Sequence, residues 1–494
     1  MTVDGLLPGV WAAAPLAIPR PAANASAATR SPSHFEDEDV MPTPARHDPN
    51  AVAAVAAIRA DCSTNAPPWT AKCRSGDGSV IDVVIVSKAP QSSAMRAVIV
   101  AASLVLSACA TTPAHSPLSG AAVGVAFDRE QELGAFADGV ADPATGRAVT
   151  PDDPVRIASI SKVVVAIGVM KLVEQGRLNL DSDVSETLGW SLRNPAFPDR
   201  PISLRQLLSH TSSLRDGDDI YVIPLGETVR GTMSRADAWD PAHAPGSGFF
   251  KYGNLNFPIV ASMIERVTGE RFDRWMRREV LGQMRIDACY NWPACSDDAV
   301  ARAVVLTQDG KVVRDDLNGR RPDCPVFAKD GDPCDLSTWR PGENGALFSP
   351  QGGLRISARG LARVGRMLLN RGMLNGVRIL TPTSVDTLLT EQWRFDGANG
   401  DTDKGFYCSY GLATQTLATP VNGCKDDPAR DGVHWAGHAG DAYGLRSGLW
   451  IDRARGIGVA YFVTGLPEDP PRGQSAYRAA EEAAFGRVLG LIRR

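Results

Sequence analysis

Ser159-Ile160-Ser161-Lys162 opens a run in which Ile160, Val163, Val164, Ile167, Met170 and Val173 recur at helical spacing, with Gly176 as the stop. A serine and a lysine three apart on a helix share a face, with Cβ atoms about 5–6 Å apart. At that spacing an unprotonated lysine can take the serine's proton, which a hydroxyl must lose before it attacks a carbonyl. The pattern S-x-x-K also arises by chance, when a helix-capping serine precedes a surface lysine. The rest of the chain decides between the two readings.

Downstream, Pro245-Gly246 precedes Tyr252-Gly253-Asn254, which runs into the apolar stretch Phe257 to Gly269. Taken alone, Tyr252-Gly253-Asn254 reads as a turn before a helix, since Gly and Asn favour turns. Further on, His438-Ala439-Gly440 opens a glycine-punctuated segment followed by two apolar strands. The order S-x-x-K, Y-x-N, (K/H)-x-G resembles the serine β-lactamase and penicillin-binding-protein superfamily, most of all its class C branch with the related esterases and D-amino-acid peptidases. Leu207-Leu208-Ser209-His210-Thr211-Ser212 and Gly352-Gly353-Leu354-Arg355-Ile356-Ser357 sit at family-like intervals, and the resemblance runs from about Leu118 to the C-terminus.

The chain has 494 residues, which as a prior allows about three domains. Residues 1–94 do not add to that count. They are rich in Ala and Pro, lack sustained periodicity and carry the acidic run Glu36-Asp37-Glu38-Asp39, so they read as disordered or as a spurious extension. Only Ser79 to Ser87 has strand character, with no obvious partner. Met95-Arg96, the apolar run Ala97 to Leu106 and Leu106-Ser107-Ala108-Cys109 then form an export-signal pattern. The last four residues resemble the lipobox of bacterial lipoproteins, which implies acylation of Cys109. The expected organisation is a signal at 95–108, translation starting at Met95, and a mature domain at 109–494. That domain would be anchored to a membrane in the periplasm or on the outer surface.

Beyond Cys109, six cysteines fall into three local pairs: Cys289 and Cys295, Cys324 and Cys334, Cys408 and Cys424. An even count in an exported chain predicts disulfides, although sequence alone leaves about 15 connectivities open. No C-x-x-C is present to favour zinc. A metal pair from His434 and His438 would need both on one helix face, and their glycine-rich surroundings read as strand and turn. No metal or cofactor is expected. The formal net charge of −4 and the lack of a long basic stretch argue against a nucleic-acid partner. Oligomeric state is not legible.

Strand character at Ala121 to Asp128, Glu132 to Ala137, Tyr410 to Leu417, Ser447 to Ile451 and Ile457 to Val463 brackets a mostly helical middle. The fold class is therefore α/β (α+β), one α/β lobe at 118–184 plus 405–494 with a helical lobe inserted at 185–404. The resemblance implies the same architecture, an antiparallel sheet flanked by helices with the cleft between the lobes.

The resemblance also implies roles. Ser159 would be the nucleophile and Lys162 its proton acceptor, which requires a pKa well below about 10.4. Tyr252 would relay a proton to the leaving group, and Asn254 would bond Lys162 and the substrate amide. The amides of Ser159 and Asp441 would form the oxyanion hole, with Gly440 letting the backbone approach the substrate. His438 departs from the lysine that most of the superfamily carries, and an imidazole of ordinary pKa about 6.5 would hold a substrate carboxylate less firmly. His210 reads as structural, and Arg446 as a carboxylate ligand or an ion pair. The expected activity is hydrolysis of an ester or amide, by an esterase, a D-amino-acid peptidase or a β-lactamase. The alternative is a protein that binds penicillin or cell-wall fragments with slow or no turnover.

Overall fold

The computed structural model describes residues 120–492, preceded by the backbone of three short strands, Asp61–Ser63, Thr70–Arg74 and Val80–Val84. The chain divides into two units, one of which holds Ser116 to Arg494 and the other Leu16 to His115. The three early strands form an antiparallel sheet in sequence order. The strand expected within Ser79 to Ser87 does have a partner, because Val80–Val84 pairs with Thr70–Arg74. Part of the segment read as disordered therefore carries secondary structure. The signal pattern at 95–108 and Cys109 lie outside the described residues. No described helix is long and apolar enough to cross a membrane.

The main sheet has nine antiparallel strands. In chain order they are β1 (Ala121–Asp128), β2 (Glu132–Asp142), β3 (Arg147–Ala148), β4 (Trp393–Arg394), β5 (Ser409–Tyr410), β6 (Gln415–Thr416), β7 (Ala436–Ala442), β8 (Leu445–Asp452) and β9 (Ile457–Val463). Their spatial order is β4-β5-β6-β7-β8-β9-β1-β2-β3. The strands expected at Ser447 to Ile451 and Ile457 to Val463 pair as a hairpin, with Asp452 opposite Ile457. The strand predicted over Tyr410 to Leu417 is instead a tight hairpin. Ala413 adopts φ +57°, and the Gly411 amide donates to the Thr414 carbonyl at 2.7 Å, which turns the chain and pairs Tyr410 with Gln415.

Alternation along β1 separates two cores. Val123, Val125 and Phe127 join the larger cluster with helices α1 (Ser161–Glu174), α2 (Asn256–Thr268) and α3 (Ala358–Leu369). Ala126 faces the smaller cluster with Phe485 and Val488 of α4 (Ala479–Ile492). Ser161 to Met170 of α1 are all buried, so this stretch of the helix is enclosed on every side and is apolar apart from Ser161 and Lys162 at its start. By contrast α3 is two-faced: Leu361, Val364 and Leu368 are buried while Arg359, Arg363 and Arg366 point outward, and Ser357 caps its first turn. Gly365 packs against Phe127 and Leu449 of the sheet. This corrects the lobe boundary: α3 and β4, placed by sequence within 185–404, belong to the sheet layer. A lone helix pattern does not reveal which surface its apolar face will cover.

All three cysteine pairs are joined as disulfides, Cys289–Cys295, Cys324–Cys334 and Cys408–Cys424, with Cα separations of 5.0, 5.6 and 5.9 Å.

Candidate active site

Ser159 sits in a single 3₁₀ turn, Ala158–Ile160, that leads directly into α1. The preceding Ala158 holds φ +52°, the left-handed region that a residue with a Cβ seldom adopts. The turn is clamped from both sides. The Ile157 amide donates to the Leu354 carbonyl at 2.9 Å, and Ser447 Oγ donates to the Ile157 carbonyl at 3.0 Å. Ser161, the other serine of the motif, is fully buried. Its Oγ donates to the Ala158 carbonyl at 2.6 Å and accepts from the Leu354 amide at 3.1 Å. That leaves Ser159, half-buried, as the available hydroxyl.

Lys162, one turn on, is fully buried, and its Nζ lies 2.9 Å from Ser159 Oγ, 2.9 Å from Asn254 Oδ1 and 2.8 Å from the Gln351 carbonyl oxygen. Burial pulls its pKa down to about 7, against the opposing charge of Asp216. Tyr252 Oη donates to Ser159 Oγ at 2.9 Å. The tyrosine lies on the loop before α2, its ring stacked on Tyr407 at 4.6 Å and packed on His210 at 4.4 Å. Burial pushes its hydroxyl well above the usual range. Lys162 and Tyr252 are thus gathered around one serine oxygen, with Asn254 holding the lysine.

Asp216 was not signalled by the sequence. Its Oδ2 accepts from the Asn254 amide at 2.9 Å and from Asn254 Nδ2 at 3.0 Å, and its Oδ1 accepts from the Leu255 amide at 2.9 Å. These bonds fix the Asn254 side chain with its Oδ1 toward Lys162. Burial raises the Asp216 carboxyl, while the amides and Lys162 pull it back. Gln351 also escaped attention, because it acts through a backbone carbonyl that any residue carries.

His210 has the expected structural place: buried at φ +57°, its Nδ1 accepts the Gly253 amide at 3.1 Å. His438 is 1% exposed, with Nε2 2.9 Å from Tyr410 Oη and Nδ1 against the Ala439 carbonyl. Burial first, then the charge of Lys162, takes its pKa down to about 3. The imidazole is neutral, as the sequence suggested, and both ring nitrogens are already occupied. His434 instead bonds the Leu417 carbonyl at 3.2 Å, so the two histidines do not converge. Among the described residues, the one group spaced for a metal is Cys408, Cys424 and Asp426, where both sulfurs are in a disulfide.

Gly440 lies against the nucleophile turn. A Cβ there would collide with the Ile157 carbonyl oxygen and Ser447 Oγ and press on Ala158. Its lack of a side chain lets β7 close on the nucleophile turn. The Asp441 side chain pairs with Arg446, which also lies 3.9 Å from Glu481. Arg446 is therefore an ion-pair residue, 6% exposed.

One serine hydroxyl is thus contacted by a lysine amine and a tyrosine hydroxyl, with Asn254 holding the lysine. The chain belongs to the β-lactamase family, whose model matches residues 110–484. It is 27% identical over 274 residues to Penicillin-binding protein 4 of Amycolatopsis lactamdurans, covering 55% of this chain and 65% of that one. It is 32% identical over 152 residues to Esterase EstB of Burkholderia gladioli, covering 27% and 37%. Each match thus spans less than two thirds of the relative. Among solved structures, it resembles an octameric penicillin-binding protein homologue from Pyrococcus abyssi (18% identity, 80% and 77% covered, TM-score 0.53). It also resembles the D-amino acid amidase of Ochrobactrum anthropi SV3 (17%, 76% and 94% covered, TM-score 0.53). The fold class is the β-lactamase/transpeptidase-like one that the motifs implied.

Proposed function

We propose that the protein is an exported, lipid-anchored serine hydrolase that cleaves an ester or amide through an acyl-enzyme on Ser159. The observation that carries this reading is the coordination of Lys162. A neutral amine has two N–H groups and one lone pair, and the carbonyls of Asn254 and Gln351 each accept one N–H. The lone pair is left for the proton of Ser159, 2.9 Å away. In the first step that proton moves to Nζ as Oγ bonds the carbonyl carbon. The amides of Ser159 and Asp441 would hold the resulting oxyanion. Collapse breaks the bond to the leaving group, which takes the proton back by way of Lys162 and Tyr252, and water then repeats the sequence to free the acid. Such a positioned acid–base group contributes roughly 10²–10⁴-fold. Esterase and amidase relatives support the ester or amide substrate. The lipobox-like sequence at Cys109 supports the anchor and an address in the periplasm or on the outer surface.

A fluorophosphonate probe should label Ser159, and Ser159→Ala should abolish both labelling and turnover; peptide mapping that puts the adduct on Ser161 would overturn the assignment. A second reading, slow-turnover penicillin binding, draws on the likeness to Penicillin-binding protein 4. Turnover of a chromogenic ester beside a chromogenic cephalosporin separates the two.

A further inference from the structure

Arg156 lies three residues before Ser159 and is 8% exposed. Buried guanidinium groups are ordinarily paired, because an uncompensated charge costs several kcal/mol in a dry setting. Yet Arg156 makes no side-chain hydrogen bond or ion pair with any described residue, and its Nε is sequestered without a partner. Its guanidinium carbon lies 5.1 Å from the centre of the Tyr443 ring. Arg314 approaches the same ring at 4.8 Å, and its Nη2 donates to Tyr443 Oη at 2.9 Å. The Arg314 Nε is likewise buried and unpartnered.

One carboxylate is present in this cluster, and it is committed elsewhere. Asp315 accepts from Arg355 at 2.7 and 3.2 Å and from Trp292 Nε1 at 3.0 Å. Asp441, the nearest acid along β7, is taken by Arg446. Three guanidinium groups therefore share the field of one carboxylate, Asp315, and neither Arg156 nor Arg314 hydrogen-bonds a carboxylate among the described residues. The surplus borders the chemistry. Arg156 belongs to the strand Val155–Arg156 that feeds the nucleophile turn, so its Cα is within about 10 Å of that of Ser159. Tyr443 is two residues past Asp441, held at φ +55° in the turn joining β7 to β8. The two chain segments that carry Arg156 and Tyr443 are the ones that meet where Gly440 touches Ile157 and Ala158.

We propose that Arg156, Arg314 and Tyr443 form a binding site for a carboxylate group of the substrate, beside the nucleophile turn. Two forked guanidinium groups and a phenol hydroxyl match the two oxygens of a carboxylate. The site would take over the task that the enclosed, neutral His438 is unfitted for. It selects ester or amide substrates that bear a free acid, and it rests on the hydrolase reading above.

The test uses two matched chromogenic esters, 4-nitrophenyl butyrate and the mono-4-nitrophenyl ester of glutaric acid, with the mature protein and its Arg314→Gln, Arg314→Lys and Arg156→Gln variants. The ratio of kcat/KM for the acid ester over the neutral one should fall roughly 10- to 100-fold in Arg314→Gln, mostly through KM, as expected for the loss of a charge-assisted hydrogen bond. Arg314→Lys, which keeps the charge, should restore part of it. Arg156→Gln should act in the same direction, and Arg314→Gln carries the test if that variant does not fold. An unchanged ratio, or a parallel loss with both esters, would overturn the proposal. Should the wild type hydrolyse neither ester, the hydrolase reading fails by itself. Calorimetric titration with glutarate then decides the anion site: binding lost in Arg314→Gln supports it, and no binding to the wild type overturns it.

Discussion

Lys162 is held near pKa 7 by burial, with Asp216 opposing the shift from behind Asn254. Only the unprotonated amine can accept the serine proton, so kcat/KM for a neutral ester should rise with pH through about 7 and level off above it. His210 and His438 also face this lysine, and both are pushed down by burial, so neither adds a titration near neutrality. Asp216→Asn removes the charge that favours the ammonium and loosens the Asn254 side chain. The acid limb should move to lower pH while kcat falls roughly tenfold, the scale of one lost charge-assisted bond; a limb that stays in place in the pH–rate profile would contradict the coupling. At His438, the enclosure between Tyr410 and Ala439 argues that His438→Lys strands the Tyr410 hydroxyl and sets a second amine near Lys162. Thermal melting should show a loss of about 1–3 kcal/mol, and selectivity between acid and neutral esters should not improve. Ser159, Lys162, Tyr252 and Asn254 could be singled out because their residue types and order match the motifs of the family, and the fold brings them together. Asp216 was not, since it works through amides at Asn254 and Leu255, far along the chain, and an acid in a loop has no spacing to give it away.

Among the elements, β7 and the Ser159 turn behave as one unit. Gly440 is where they touch, so Gly440→Ala must either push β7 outward or shift the Ile157 carbonyl. Overpacking of this kind costs about 1–3 kcal/mol. The expected result is a lowered melting temperature together with a drop in kcat, and a variant that lost stability yet kept full kcat would show that the turn tolerates displacement. Periodicity located α1 and the apolar stretch of α2 to within a few residues, and Ser357 and Ser203 cap helix starts with their side chains. It failed at Tyr410 to Leu417, where the apolar alternation continues straight through a turn. The left-handed Ala413 breaks the strand there, and alanine carries no turn signal.

On the scale of the whole molecule, the order of strands and helices was legible, while the surface that α3 covers was not, because that depends on β1 and β8 far away in sequence. The maturation reading is tested on protein made in a bacterial host. Mass spectrometry should find a lipidated Cys109 as the first residue, and residues 1–94 in the mature protein would refute it. Non-reducing digests of the same sample should link Cys289 to Cys295, Cys324 to Cys334 and Cys408 to Cys424, and reduction should lower the melting temperature, each closed loop being worth about 2–4 kcal/mol. The seam that divides the sheet into six strands and three is β9 against β1, with Phe462 opposite Val123, so its two sides come from opposite ends of the domain. Such distant pairings make folding slow, because the loop between them must be closed before any contact rewards it. A chain threaded through a translocation pore amino end first cannot complete this seam until β9 has emerged. For a protein exported as proposed, the sheet would close on the far side of the membrane, only once the last strand has crossed.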